Sequence, residues 1–237
     1  MGTDETSARV AVVTGGFGAL GQVVAAAAVE RGFLVAIPAH TAKAPAGLAE
    51  RLGPNALLIG GVDLSDEAEA ADAMQAVLSR FGRIDVLFNI AGGFRWAKIA
   101  DSHAADLEYL FRMNVQTTIN AVRAAIPALR KSPAGRIINV GSLAAEKAGA
   151  GMGPYAASKA AVHRLTEALA EELRDAGVTV NAVLPLTIDT AQNRADMPKA
   201  DFSRWVAPAD LAEIMLFLAS EKAKAVTGAL IPVRGRG

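Results

Sequence analysis

Val10-Ala-Val-Val-Thr-Gly-Gly-Phe-Gly-Ala-Leu-Gly21, running directly into Gln22-Val-Val-Ala-Ala-Ala-Ala-Val29, is the stretch that decides the fold. A short β-branched run, a glycine-rich turn and an Ala-rich run without Gly or Pro read as strand, tight turn and helix. Gly16, Gly18 and Gly21 satisfy the G-x-G-x-x-G spacing, and a second register makes Gly15, Ala19 and Gly21 the operative positions. Glycines there permit the tight turn and let backbone approach a pyrophosphate seated on the helix N-terminus. They also close ordinary turns, so the weight comes from their place between the first strand and the first helix. Gly15, Gly16, Phe17, Gly18, Ala19, Leu20 and Gly21 are therefore candidate dinucleotide contacts.

Outward from that unit, strand and helix signals alternate to the end of the chain. Leu34–Ala39, Leu57–Gly61, Ile84–Ile90, Arg136–Val140, Val178–Leu184 and Leu230–Val233 read as strands. Helices are expected over Leu20–Arg31, after an N-cap at Ser65, as one or two helices over Leu107–Arg130 with Pro127 bending the last turns, over Tyr155–Arg174 and over Pro208–Ser220. Alternation of this kind implies right-handed βαβ units. The expected architecture is an α/β fold, a single-domain Rossmann-type doubly wound parallel sheet with helices on both faces, spanning residues 1–237. The least regular stretch, Pro185–Val206, is long for a connection, and such loops are often functional.

A dinucleotide site also needs a partner for the adenosine ribose at the end of the second strand. An acid about 20 residues past the glycines would bond the 2′-hydroxyl of NAD. Between Glu30 and Glu50 there is none. In Ala39-His-Thr-Ala-Lys43 a 2′-phosphate would meet no carboxylate and could meet His40 or Lys43, which favours NADP(H) over NAD(H); plain loop surface is the other reading of these two residues. Asp63, followed by Leu64, sits after the third strand, where a carboxylate can accept from the adenine amino group or simply open the next helix.

Composition excludes several classes. With 24 basic and 24 acidic residues among 237 the net charge is zero, and no basic cluster offers a nucleic-acid footprint. The absence of cysteine removes disulfides and cysteine-based metal sites or nucleophiles. No metal-spaced cluster exists; His103 and His163 read as surface or packing residues. No apolar run approaches the roughly 20 residues of a membrane span. Met1–Arg9 reads as a polar leader, although Met1-Gly2-Thr3-Asp4-Glu5-Thr6 matches the myristoylation pattern literally. A soluble cytoplasmic protein is expected.

Tyr155 and Lys159 stand one turn apart on the expected helix and so share a face. A free tyrosine titrates near pH 10; a positive charge beside it favours the phenolate, and the expectation is a phenol made useful for acid–base work by Lys159. Together these pieces resemble the short-chain dehydrogenase/reductase family along essentially the whole chain. They are Thr14-Gly15 to Gly21, Asp63, Asn89-Ile-Ala-Gly92, Asn114, Ser142 at the family's spacing from Tyr155, Tyr155-x-x-x-Lys159, Pro185 after the sixth strand, and Val226-Thr-Gly228.

The resemblance implies roles. Tyr155 is the general acid or base, Lys159 favours its phenolate and bonds the nicotinamide ribose, and Ser142 hydrogen-bonds the substrate oxygen. Asn114 holds a water that links Lys159 to solvent. Asn89, Ala91 and Gly92 pass close to the cofactor, and Pro185, Ile188 and Thr190 meet its nicotinamide end. The implied activity is hydride transfer between a nicotinamide cofactor and a small carbonyl/alcohol substrate, by a homotetramer or homodimer. Ala19 and Leu186 depart from the family's usual glycines. With Ala91-Gly-Gly-Phe94, Gly151-Met-Gly-Pro-Tyr155 and Val183–Trp205, they are similar to the dihydropteridine reductases, whereas Ser142 and the missing acid at Ala39 are not. Reduction of a quinonoid pterin and a non-catalytic dinucleotide-binding regulator are the competing readings.

Overall fold

The computed structural model describes residues 8–236. The first seven residues of the expected polar leader, and with them the myristoylation pattern, lie outside the described residues. Arg9, assigned above to that leader, belongs to the fold: its guanidinium donates to the carbonyls of Ala219 (2.8 Å) and Ala134 (2.9 Å).

Seven parallel strands form one sheet in the order β3-β2-β1-β4-β5-β6-β7. They are β1 (Val10–Thr14), β2 (Leu34–Ala39), β3 (Ala56–Gly60), β4 (Val86–Asn89), β5 (Arg136–Val140), β6 (Thr179–Pro185) and β7 (Leu230–Val233). The strands are apolar on both faces because both faces are covered. Ala11, Val13, Val35, Ile37 and Phe88 pack under α1 (Ala19–Glu30), α2 (Leu48–Leu52) and α8 (Pro208–Ala219). The alternate residues Val10, Val12, Ala36, Leu87 and Ile137 pack under α3 (Glu67–Phe81), α5 (Thr117–Leu129) and α6 (Gly153–Glu172). Each fully buried Val, Leu or Ile in these layers contributes about 1.5–3 kcal/mol of transfer free energy. The alanines of α1 keep it thin enough to lie close against both sheet and α8: Ala25 and Ala28 are wholly buried.

Three local expectations need correction. The N-cap of α3 is Asp66, whose side chain accepts from the amides of Ala68 and Glu69, while Ser65 turns back to Asp63. The carboxylate can receive two amides at once, and Ser65 has a nearer acceptor. The region expected as one or two helices comprises α4 (Ala104–Phe111), a π-helical turn over Arg112–Gln116, and α5. The irregularity thus falls at that turn, and α5 runs through Pro127, where only one bond near the helix end is forgone. The long connection after β6 is not without structure, since Thr190 caps α7 (Ala191–Asp196) through a 3.1 Å bond from the Asn193 amide.

Candidate active site

The chain leaves β1 for β2 and β3 on one side and places β4 to β7 on the other, so a crevice opens between β1 and β4 at the ends of both strands. Gly15 has φ +66°, and a Cβ there would stand 2.8 Å from the Ala91 Cα. A Cβ at Gly21 would stand 2.5 Å from the Gly15 carbonyl oxygen and the Gly16 Cα, whereas one at Gly18 would meet only the Gly15 oxygen at 3.3 Å. The steric demand therefore falls on Gly15, Gly16 and Gly21; Gly18 is the N-cap of α1 and Ala19 its first residue. Leu20 is buried beneath. The turn is pinned to its neighbour by Thr14, whose hydroxyl accepts from the amides of Ile90 (3.0 Å) and Ala91 (3.1 Å) and donates to the Phe88 carbonyl.

A cavity of about 430 Å³ runs from this turn along the sheet edge. Its lining includes the candidate contacts Gly15, Phe17, Gly18, His40, Asp63, Leu64, Ala91 and Gly92, together with Ala39. Lys43 is exposed and takes no part in the lining. Thr41, Tyr109, Arg112, Met113 and Thr117 were not foreseen; four of them come from α4, the π-turn and α5, distant in sequence from any nucleotide motif. Asp63 is already engaged: Ser65 donates through its amide (2.9 Å) and hydroxyl (2.6 Å), and Arg112 through Nη2 (2.6 Å). Those bonds, with Ser65's the strongest, hold its carboxyl below the ordinary range against the opposing effect of burial. Asn89 does not line the cavity. It is buried and donates to the Asn139 Oδ1 (2.9 Å), whose own amide donates to the Thr166 hydroxyl (2.8 Å), so it is a strut across β4, β5 and α6.

The inner end of the crevice brings together the second group of expected residues. Pro154 occupies the first turn of α6, where its missing N–H costs nothing, and Tyr155 and Lys159 follow on one face. The Lys159 Nζ donates to the Val140 carbonyl at the end of β5 (2.9 Å). Asn114, wholly buried in the π-turn, accepts from the Gly93 amide (2.9 Å) and donates to the Gly93 carbonyl (3.1 Å) and the Ser158 hydroxyl (2.9 Å). π-turns of this kind recur at functional sites. Gly92 lies where all this converges, since a Cβ there would be 2.6 Å from the Asn114 Oδ1 and 3.4 Å from the Lys159 Nζ. Ser142 caps a short 3₁₀ turn, accepting from the Ala144 amide.

The electrostatics correct one expectation. Burial pushes the Tyr155 phenol up from its ordinary value, and a hydrogen bond with Ser142 pulls it back. The same burial lowers the Lys159 ammonium to about 8. Desolvation, rather than attraction between the two side chains, is the largest effect on each in the protein alone.

Ser142, Tyr155 and Lys159 share the lining of a second cavity of about 800 Å³ with Pro185 and Ile188. Thr190 stays outside, committed to capping α7. The walls are Phe94, Trp96, Met152, Leu186 and Met197. Phe94 meets the Tyr155 ring edge-on, 4.9 Å between centroids at 82°, and the Trp96 indole donates to the Ala150 carbonyl (3.0 Å). Sequence reasoning noted Phe94, Met152 and Leu186 only as family likenesses and missed Trp96. Among the described residues there is no group of three acids or histidines able to hold a metal ion, and no helix is long and apolar enough to cross a membrane.

Residues 9–201 match the family described as short chain dehydrogenase. The chain is 32% identical to the rhamnolipids biosynthesis 3-oxoacyl-[acyl-carrier-protein] reductase of Pseudomonas aeruginosa, with 96% of this chain and 95% of that protein covered. It is 28% identical to an uncharacterized oxidoreductase of Staphylococcus aureus, covering 88% and 90%. A solved short-chain type dehydrogenase/reductase from Mycobacterium ulcerans superposes with a TM-score of 0.90 at 28% identity, covering 96% of this chain and 89% of that one. An NAD+-bound xylitol dehydrogenase superposes at 0.88 with 22% identity, covering 98% of this chain and 100% of that one, a likeness of fold alone. The chain belongs to the short-chain dehydrogenase family and is an NAD(P)-dependent short-chain dehydrogenase/reductase.

Proposed function

We propose that this enzyme interconverts a small carbonyl compound and its alcohol, with NADP(H) preferred over NAD(H). The observation that carries the reading is the meeting of Ser142, Tyr155 and Lys159 in the lining of one cavity, beside the inner end of the glycine-turn crevice. The chemistry a bound nicotinamide supplies is hydride transfer. The α1 N-terminus fits a pyrophosphate, because its cap is a glycine without a side chain to occupy the first-turn amides. Lys159 would bond the nicotinamide ribose, and Ile188 and Pro185 would bound that end. The Ser142 hydroxyl donates to the substrate oxygen, where negative charge develops during reduction. Tyr155 delivers the proton to that oxygen and, in oxidation, takes it back. A water at Asn114 links Lys159 to solvent.

A ground-state phenol held high by burial suits an acid that keeps its proton until the substrate oxygen demands it. A bound oxidised nicotinamide would supply positive charge, and positive charge near Tyr155 would favour its phenolate when a base is needed. The preference for NADP(H) rests on Ala39, which presents no carboxylate, and on His40 and Thr41 in the same lining. Residues 185–206 form the substrate loop, and the protein works in the cytoplasm as a homotetramer or homodimer, for which Leu107 and Phe111, large and exposed on α4, provide apolar surface.

The decisive experiment follows NADPH and NADH oxidation with aliphatic and aryl ketones, acetoacetyl-coenzyme A and quinonoid dihydropterin. Turnover of a carbonyl compound, lost in Ser142→Ala, supports the reading. Fast pterin reduction that survives Ser142→Ala replaces it with the C=N alternative, and no turnover of any probe with intact cofactor binding favours the regulator.

A further inference from the structure

We infer that His163 is a positioning residue for this site: its imidazole, admitted to the end of β5 by the missing side chain of Gly141, accepts the Ser142 amide hydrogen and fixes where the Ser142 hydroxyl stands. The inference rests on the reading of Ser142 as the donor to the substrate oxygen.

Four observations carry it. The Ser142 amide donates to the His163 Nε2 at 3.3 Å. Both residues are buried, 4% and 3% exposed, so without His163 that amide is a buried donor with no partner. The ladder cannot take it, because the preceding amide, Gly141, makes the bond to the Val183 carbonyl at 2.9 Å and the strand ends there. Finally, a Cβ at Gly141 would stand 2.4 Å from the His163 Nε2 and 2.8 Å from its Cδ2, so the ring and the glycine occupy the space of one side chain. The Ala144 amide holds the Ser142 hydroxyl from the other side at 3.2 Å. The backbone and the side-chain oxygen of Ser142 are thus fixed by separate groups, and His163 supplies the one that comes from a different element.

An accepting Nε2 requires the neutral ring with its proton on Nδ1. Protonation would turn Nε2 into a donor facing a donor, and the contact would open. The charged groups that face the ring are Arg164, Lys159 and Glu167 on α6 and Glu146 after the 3₁₀ turn; burial, then Arg164, keeps its titration below the ordinary value. The contact therefore holds at neutral pH and opens only on the acid side of about 6.5.

The test compares wild type, His163→Leu and His163→Gln, whose amide oxygen can accept the same hydrogen and does not titrate. Two-dimensional NMR of the ¹⁵N-labelled protein reads the His163 tautomer and the exchange rate of the Ser142 amide, independently of any substrate. The expected result is an Nδ1–H tautomer and a Ser142 amide that exchanges slowly in wild type and the Gln variant and fast in the Leu variant. With acetoacetyl-coenzyme A and NADPH, His163→Leu should lower kcat by roughly 10–10²-fold, the scale of a misplaced catalytic group, with KM and NADPH affinity within about twofold. The Gln variant should recover most of kcat and lose the acid limb belonging to His163.

An Nε2–H tautomer, or equal Ser142 exchange in all three proteins, overturns the inference whatever Ser142 does. Expected NMR with unchanged kcat in His163→Leu also overturns the positioning role. If Ser142→Ala is then equally harmless, the failure belongs to the reading of Ser142; if Ser142→Ala is damaging, it belongs to His163.

Discussion

The two ends of the sheet bury charge in opposite ways. At the end where strands begin, Asp85 is wholly buried and accepts from the Val10 amide, from Nε and Nη2 of Arg83 and from the Ser132 hydroxyl. Close by, the buried Arg136 pairs with Glu221 at 3.0 Å. At the end where strands finish, the Lys159 ammonium is equally buried, yet it has the Val140 carbonyl and, among the described residues, no carboxylate. Pairing repays part of the desolvation penalty at the first end; at the second the penalty stands, visible as an ammonium that titrates near 8. Unrepaid burial of this kind marks sites where chemistry rather than stability has set the residues.

The contrast can be broken or sharpened by mutation. The largest effect expected is Tyr155→Phe, which should lower kcat by up to roughly 10⁴-fold, the upper range for losing a general acid–base group, while melting temperature and NADPH affinity hold. Steady-state kinetics beside calorimetry decide it, and near-wild-type turnover would remove Tyr155 from the mechanism. Ser142→Ala should cost roughly 10²–10³-fold in kcat on a ketone, the size of one preorganised donor.

At the other end, Asp85→Ala should destabilise by roughly 1–3 kcal/mol because several donors lose their acceptor, with kcat unchanged wherever the protein is folded. Burial pushes the Asp85 carboxyl up, but the bonds from Arg83, Ser132 and Val10 prevail and hold it below its ordinary value. Its folded titration being lower than its unfolded one, the stabilisation is complete above about pH 4 and is lost as pH falls further. Denaturant melts of wild type and variant should therefore converge in acid; a constant gap down to pH 2 would contradict the assignment.

Lys159→Met should do the reverse, lowering turnover, though by less than Tyr155→Phe, while stabilising the fold. A depression from 10.5 to about 8 corresponds to a cost on the order of 3 kcal/mol for the charged form, and the lost bond to Val140 returns about 1 of it. The folded ammonium gives up its proton near 8 and the unfolded one near 10.4. The wild type therefore gains stability as pH rises through that window, and the advantage of the variant shrinks. A Met variant less stable than wild type at pH 7 would show that Lys159 is structurally paid for. The smallest effect concerns the nucleotide end: Ala39→Asp should weaken NADPH and strengthen NADH by about tenfold each, or 1.4 kcal/mol, read by fluorescence titration.

Much of this was legible beforehand, and where it was not the reason is physical. The alternation of strands and helices, the glycine turn and the Tyr155–Lys159 spacing are local signals, carried by periodicity and by residues adjacent in the chain. Thr14 was visible as part of the motif, but its bonds to Ile90 and Ala91 were not, since they join positions far apart. The N-cap at Ser65 failed because the competing acceptor, Asp63, is local too, and only the folded turn decides between them. Tyr109, Arg112, Met113 and Thr117 carry no nucleotide motif; they reach the crevice because α4, the π-turn and α5 cross it.

By itself, then, the sequence determined the layered α/β fold, the glycine turn between β1 and α1 and the helix face bearing Tyr155 and Lys159, because each follows from periodicity or spacing along the chain. Only the tertiary structure decided that burial governs the Tyr155 phenol and the Lys159 ammonium, that Lys43 stands outside the cavity beside the glycine turn, and that a histidine read as packing closes onto Ser142 through the gap left by Gly141. Desolvation and contact depend on what other elements bring to a point in space, and no periodicity along the chain records that.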